Sequence, residues 1–110
     1  MQRTPDYESI TSRELKDRLE AGDRPELLDV REPWEFELAR IEGSRLISMG
    51  ELAEKVAELD PAAETVVICH HGIRSAYVTQ ALERAGFARV FNLEGGLDAY
   101  ADVDESVPRY

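Results

Sequence analysis

A chain of 110 residues suits one compact domain and is too short for two hydrophobic cores. Hydrophobic residues make up 43% and charged residues 33%, an ordinary globular balance, and no stretch approaches the ~18 consecutive apolar residues of a membrane span. A formal net charge of −10, with no Lys/Arg block, argues against nucleic acid or an anionic membrane as partner and requires that any anion site be built locally.

The opening Met1-Gln2-Arg3-Thr4-Pro5-Asp6 has no apolar core and does not read as a secretory signal. The single cysteine, Cys69, cannot form an internal disulfide, whereas small secreted domains usually hold several. The expectation is therefore a cytoplasmic, single-domain protein over 1–110, with residues 1–6 and 102–110 as terminal extensions. No internal repeat or low-complexity segment is present.

Tyr7–Ile10 reads as a first short strand. Thr11 and Glu14 form a capping box that opens a helix through Leu15 and Leu19, closing near Gly22. Leu27–Val30 reads as a buried strand, and Pro33 sits well in the first turn of a helix over Pro33–Leu38. Arg45–Ser48 is a further strand. Ser48 and Glu51 repeat the capping-box spacing, and Leu52, Val56 and Leu59 follow at helical intervals until Pro61. Thr65–Cys69 is β-branched and apolar on both faces, as in a central parallel strand. Ser75–Ala85 reads as a helix closed by Gly86, Arg89–Leu93 as a strand, and Gly95-Gly96 leads into a last short helix. The alternation of strands and helices predicts crossover connections and a mainly parallel sheet of five strands. Such sheets place ligands at the carboxyl ends of their strands, and Cys69 falls at that end of the strongest strand.

The segment Cys69-His70-His71-Gly72-Ile73-Arg74-Ser75 joins this strand to the next helix. A helix start offers unpaired N–H groups and a positive dipole end, and a loop curled before it can aim further N–H groups at one point. A thiol held there is expected to react as the thiolate. Arg74 adds a fixed positive charge, and Gly72 permits a turn that a side chain could forbid. Strand end, Cys, Gly, Arg and helix start together describe a nucleophile in an anion cradle, in place of the commoner small buried cysteine. Ser75 is read first as a helix cap and second as a hydrogen-bond partner of the site. His70 and His71 are adjacent, so their side chains are expected to splay apart as loop-facing polar groups without a metal. Gly95-Gly96 reads as a tight turn rather than a phosphate loop, since no Lys stands at the required spacing.

At this loop the chain resembles the rhodanese superfamily, whose active-site loop is Cys-x-x-Gly-x-Arg followed by Ser or Thr. Leu28-Asp29-Val30-Arg31-Glu32 resembles that family's Asp-x-Arg segment. Arg40-Ile41-Glu42-Gly43-Ser44 resembles its His-Ile-x-Gly-Ala, with Arg40 in place of His. Gly95-Gly96-Leu97-Asp98-Ala99-Tyr100 resembles its Gly-Gly-x-x-Ala-Trp ending, with Tyr100 in place of Trp.

The resemblance implies a five-stranded, mainly parallel α/β sheet with helices on both faces and a sulfurtransferase activity without cofactor. Cys69 would take a sulfane sulfur from thiosulfate or a protein persulfide, carry it as a persulfide, and pass it to a thiol, cyanide or a sulfur-carrier protein. The backbone N–H groups of residues 70–75 would stabilise the anion. Asp29 and Arg31 would support the loop as a bracing ion pair, with direct catalysis by either as the lesser reading. Trp34 and Phe36 read as packing residues or one rim of the pocket.

Two other classes compete. Phosphatases and arsenate reductases of related fold have Cys-x5-Arg, whereas four residues separate Cys69 from Arg74. A non-enzymatic persulfide-sensing or docking module is the third. The ending Val103–Tyr110 resembles that of rhodanese domains fused to adenylyltransferases, which implies a carrier-protein partner and predicts that Pro108 and Tyr110 pack on the domain.

Overall fold

The computed structural model describes residues 2–3 and 6–110. Its centre is strand β5 (Thr65–Ile68), buried at every position, as its β-branched, two-faced apolar sequence predicts. On one side β5 pairs with β3 (Glu26–Asp29), which pairs with β4 (Arg45–Leu46) at the edge. On the other side it pairs with β6 (Val90–Leu93), which pairs with β2 (Glu8–Ile10). All these pairings are parallel. A sixth strand, β1 (Gln2–Arg3), adds antiparallel to β2 and completes the order β1-β2-β6-β5-β3-β4. The expected five strands are thus joined by a sixth, whose two exposed polar residues carry no hydrophobic signal. It is tied down by Arg3, whose guanidinium binds both carboxylate oxygens of Glu83.

Among the described residues five α-helices pack on this sheet: α1 (Ser12–Glu20), α2 (Pro33–Leu38), α3 (Leu52–Lys55), α4 (Ile73–Arg84) and α5 (Gly96–Tyr100). Alternation along β5 divides the interior into two cores. Val66 and Ile68 join Leu15 of α1 and Leu97 and Tyr100 of α5 on one face. Val67 and Cys69 join Val78 and Leu82 of α4 on the other. Burying a single such Leu or Val contributes about 1.5–3 kcal/mol, so both layers are needed to hold the sheet. No helix among the described residues is long and apolar enough to cross a membrane.

The Thr11–Glu14 capping box forms in both directions and starts α1 one residue later. The one expected after Ser48 does not form. Ser48 makes no cap bond; its hydroxyl is turned instead to the carbonyl of Arg31, to which it donates at 2.8 Å. The following run is broken into two 3₁₀ turns, Met49–Glu51 and Val56–Glu58, around the single turn of α3.

Candidate active site

Cys69 directly follows β5 at its carboxyl end and is only 1% exposed. The chain then turns sharply, with Gly72 as N-cap of α4 at φ 93°. This turn requires glycine twice over: the backbone is left-handed, and a Cβ would lie 3.1 Å from the Gly95 nitrogen. As a result the Gly72 N–H points back at the Cys69 Sγ, 3.0 Å away.

Ser75 lies inside α4 rather than at its cap, correcting the first reading of that residue. Its Oγ is 3.2 Å from the Cys69 Sγ and donates to Asn92 Oδ1 at 2.5 Å. Asn92 Nδ2 in turn donates to the Gly72 carbonyl at 3.2 Å. A carbonyl can only accept, so the amide must turn its nitrogen to Gly72 and its oxygen to Ser75. That uses the one hydroxyl proton of Ser75 and leaves its oxygen facing the sulfur as an acceptor. Asn92 therefore controls which way the hydrogen bond between Ser75 and a protonated Cys69 runs.

The loop is held from the opposite side by α5. Leu97 N–H donates to the Cys69 carbonyl at 2.8 Å and Asp98 N–H to the His70 carbonyl at 3.0 Å. A Cβ on Gly96 would stand 2.4 Å from the His70 oxygen, so Gly95-Gly96 acts as a close-approach turn against the thiol loop. The sequence expectation of a tight turn near the site is met.

Arg74 points its two terminal nitrogens at the two carboxylate oxygens of Glu35, at 2.7 and 2.9 Å. The Glu35 side chain is 5% exposed. The Arg74 hydrogen bonds, helped by the Glu32 amide and the Tyr110 hydroxyl, outweigh burial and hold the Glu35 carboxyl at about 2. The same contact raises Arg74 further above its ordinary value. Tyr110 donates its hydroxyl to Glu35 at 2.7 Å and accepts from Arg31 at 2.8 Å, and burial pushes its phenol up to about 12.

Arg31 is wholly buried. Its donors go to the Asp29 carboxylate (2.7–3.1 Å), the Glu35 and Ala39 carbonyls and the Tyr110 hydroxyl. Asp29 and Arg31 are thus brought together at the end of β3 as a closed ion pair, with Arg31 reaching toward α2 and Tyr110.

The two histidine rings do not splay apart. They stack at 4.0 Å, and His70 stacks on its other side against Tyr110 at 4.1 Å. Burial, with His71 alongside, lowers the His70 pKa below its ordinary value. The ligand atoms of His70, His71 and Asp98 lie within 4.8 Å of one another, so these three are the residues able to hold a metal ion among those described. Trp34 is 61% exposed, edge-on to Tyr110 at 6.2 Å, and so belongs to a rim, not to the packing. Ile73, the loop residue before Arg74, is also exposed. At the chain end Val107 is buried and Tyr110 packs, while Pro108 is exposed, contrary to its expected packing.

Three residues of the site escape the sequence reading: Glu35, Asn92 and Tyr110 as a bridge. Asn92 left a usable signal, a lone amide inside the apolar strand Val90–Leu93. Glu35 left one too, three residues after Glu32 in a capping box around Pro33. Tyr110 has no local signal, since its partners lie 75 and 79 residues away.

With this geometry in place, the comparisons with known proteins decide the lineage. The family model for the rhodanese-like domain matches residues 11–102. The chain belongs to the rhodanese-like family. It is 39% identical over 95 residues to "Probable adenylyltransferase/sulfurtransferase MoeZ" of Mycobacterium tuberculosis, covering 84% of this chain but only 24% of that protein. It is 30% identical over 97 residues to thiosulfate sulfurtransferase GlpE of Pseudomonas aeruginosa, covering 88% of this chain and 86% of GlpE. The crystal structure of a rhodanese-like domain protein from Staphylococcus aureus superposes with a TM-score of 0.83 at 30% identity, covering 94% of this chain and 98% of that one. The rhodanese-like α/β fold is thereby shown, as is a place among sulfurtransferase relatives.

Proposed function

We propose that this rhodanese-like domain moves a sulfane sulfur through a persulfide on Cys69. The observation that carries the reading is the Cys69 Sγ at the carboxyl end of β5, with the Gly72 N–H aimed at it from 3.0 Å. A thiolate there is held by one fixed amide, and the outer sulfur of a persulfide would project toward the start of α4, where further amides and the helix dipole favour a negative charge.

In the first half-reaction the Cys69 sulfur attacks the outer sulfur of the donor, its S–S bond breaks, and the remainder leaves as sulfite or a thiolate. In the second, a thiol, cyanide or a carrier protein attacks the outer sulfur of the persulfide and regenerates Cys69. Splitting the transfer this way lets donor and acceptor use one site in turn. Asp29 and Arg31 act as a brace: the donors of Arg31 are occupied by Asp29, by the two carbonyls around α2 and by Tyr110. A single reduced cysteine working in this way suits the cytosol.

Cyanide turnover tests the proposal. Wild-type protein with thiosulfate or an alkyl persulfide and cyanide should release thiocyanate with ping-pong kinetics, and Cys69→Ser should release none above background. Sustained turnover by Cys69→Ser would overturn the assignment, because the chain has no second thiol.

A further inference from the structure

The cations around the thiol loop are each matched by a carboxylate. Arg74, the only Lys or Arg within residues 69–75, has both terminal nitrogens on Glu35. Glu35 cannot easily turn away, since it also accepts from the Glu32 amide at 3.0 Å and the Tyr110 hydroxyl at 2.7 Å. Arg31 is paired with Asp29, both fully buried. Arg109 binds Asp98, which lies beside the histidines, and also Asp102. The whole chain carries a formal −10.

This arrangement suits some sulfur donors and not others. Thiosulfate carries two negative charges to a Cys69 thiolate that carries a third, and Glu35 has already offset the one guanidinium of the loop. A persulfide carries at most one charge. We infer that Glu35 sets donor choice at this site, making a persulfide, R–S–SH, a better donor than thiosulfate by neutralising Arg74. The inference rests on the sulfurtransferase reading above.

The step balances for either donor. Cys69–S⁻ and R–S–SH give Cys69–S–SH and R–S⁻, while Cys69–S⁻ and thiosulfate give Cys69–S–S⁻ and sulfite dianion. Each breaks one S–S bond, forms another and needs no oxidant. The two differ in the charge that must approach the thiolate, which is the quantity Glu35 governs.

Single-turnover loading of Cys69, followed by quench and intact mass, tests the inference with two probes: thiosulfate and N-acetylcysteine methyl ester persulfide. Like-charge repulsion predicts that thiosulfate loading of the wild type accelerates as ionic strength rises, with a smaller effect on the persulfide. Glu35→Gln removes the negative charge, so the thiosulfate-to-persulfide ratio of rate constants should rise about three- to ten-fold. Glu37→Gln removes the same charge from an exposed position of the same helix and should leave that ratio nearly unchanged. Thiosulfate loading that slows with added salt would reveal a cationic trap and overturn the inference. A ratio that stays level or falls in folded Glu35→Gln would do the same. If Glu35→Gln does not fold, the salt dependence of the wild type decides alone. Failure of both probes to load wild-type Cys69 would instead overturn the sulfurtransferase reading, and the inference with it.

Discussion

Alanine at position 96 should cost far more than alanine at any open glycine, because of where its Cβ would go. Gly96 has φ 63°, and the added carbon would lie 2.4 Å from the His70 oxygen and 2.6 Å from the Cys69 oxygen. Both oxygens are acceptors of the bonds from Leu97 and Asp98 that pin the thiol loop. Relaxing the contact to an ordinary 3.4 Å moves these carbonyls by about an ångström and opens both bonds. The left-handed backbone costs about 1 kcal/mol and each lost hydrogen bond about 1 kcal/mol more. The sum, about 3 kcal/mol, corresponds to a fall in melting temperature of roughly 12–24 °C for a domain of this size. Gly86 is the control: its φ is 99° but nothing lies within 4 Å of its would-be Cβ. Gly86→Ala should therefore lose only the backbone term, roughly 4–8 °C. Thermal unfolding followed by circular dichroism compares the two directly. Equal melting temperatures for the two variants would show that α5 does not hold the loop by close approach.

Three further predictions concern the groups around the thiol. Glu35 titrates at about 2 in the fold against an ordinary 4.5, so its contribution is complete above pH ~4.5 and is lost as the pH falls toward 2. The shift corresponds to about 3 kcal/mol at most, and to less because the Arg74 side chain is 36% exposed. Urea midpoints should accordingly show Glu35→Gln less stable than wild type at pH 7 and nearly equal to it near pH 2; a constant gap across that range would contradict the pairing. Asn92→Asp puts a negative charge next to Ser75 and turns the donor toward the Gly72 carbonyl into an acceptor, so iodoacetamide should alkylate Cys69 about ten-fold more slowly at pH 7. An unchanged rate would remove Asn92 from the account of the site. Tyr110→Phe takes away the hydroxyl between Arg31 and Glu35 and should cost about 1–2 kcal/mol in chemical denaturation, whereas no loss would mean the bridge is dispensable.

The fold was legible wherever a local signal coincided with burial. β5 combines β-branching with four buried positions, and α1 carries a capping box that nothing else competes for. Ser48 shows the opposite case: the same spacing as Thr11 gives no cap bond, and the hydroxyl is oriented toward a tertiary acceptor, the Arg31 carbonyl. β1 was illegible because two exposed polar residues have no periodicity to read. Within the site, Cys69 and Gly72 could be located from sequence because strand end, nucleophile and turn are contiguous. The partners of Arg74 could not, since Glu35 lies 39 residues away and an ion pair between two helices leaves no local trace. Ser75 reads as a cap because Ser favours caps, but Gly72 already starts the helix and frees Ser75 to face the sulfur.

The central claim is that the transferred sulfur rests on Cys69, and intact mass after loading tests it most directly. Wild-type protein treated with an alkyl persulfide and freed of excess donor should gain the mass of one sulfur atom, localise it to the peptide containing Cys69, and lose it on addition of cyanide. Cys69→Ser should gain nothing. A wild-type protein that stays at its original mass, or a Cys69→Ser protein that gains a cyanide-labile sulfur, would contradict the account.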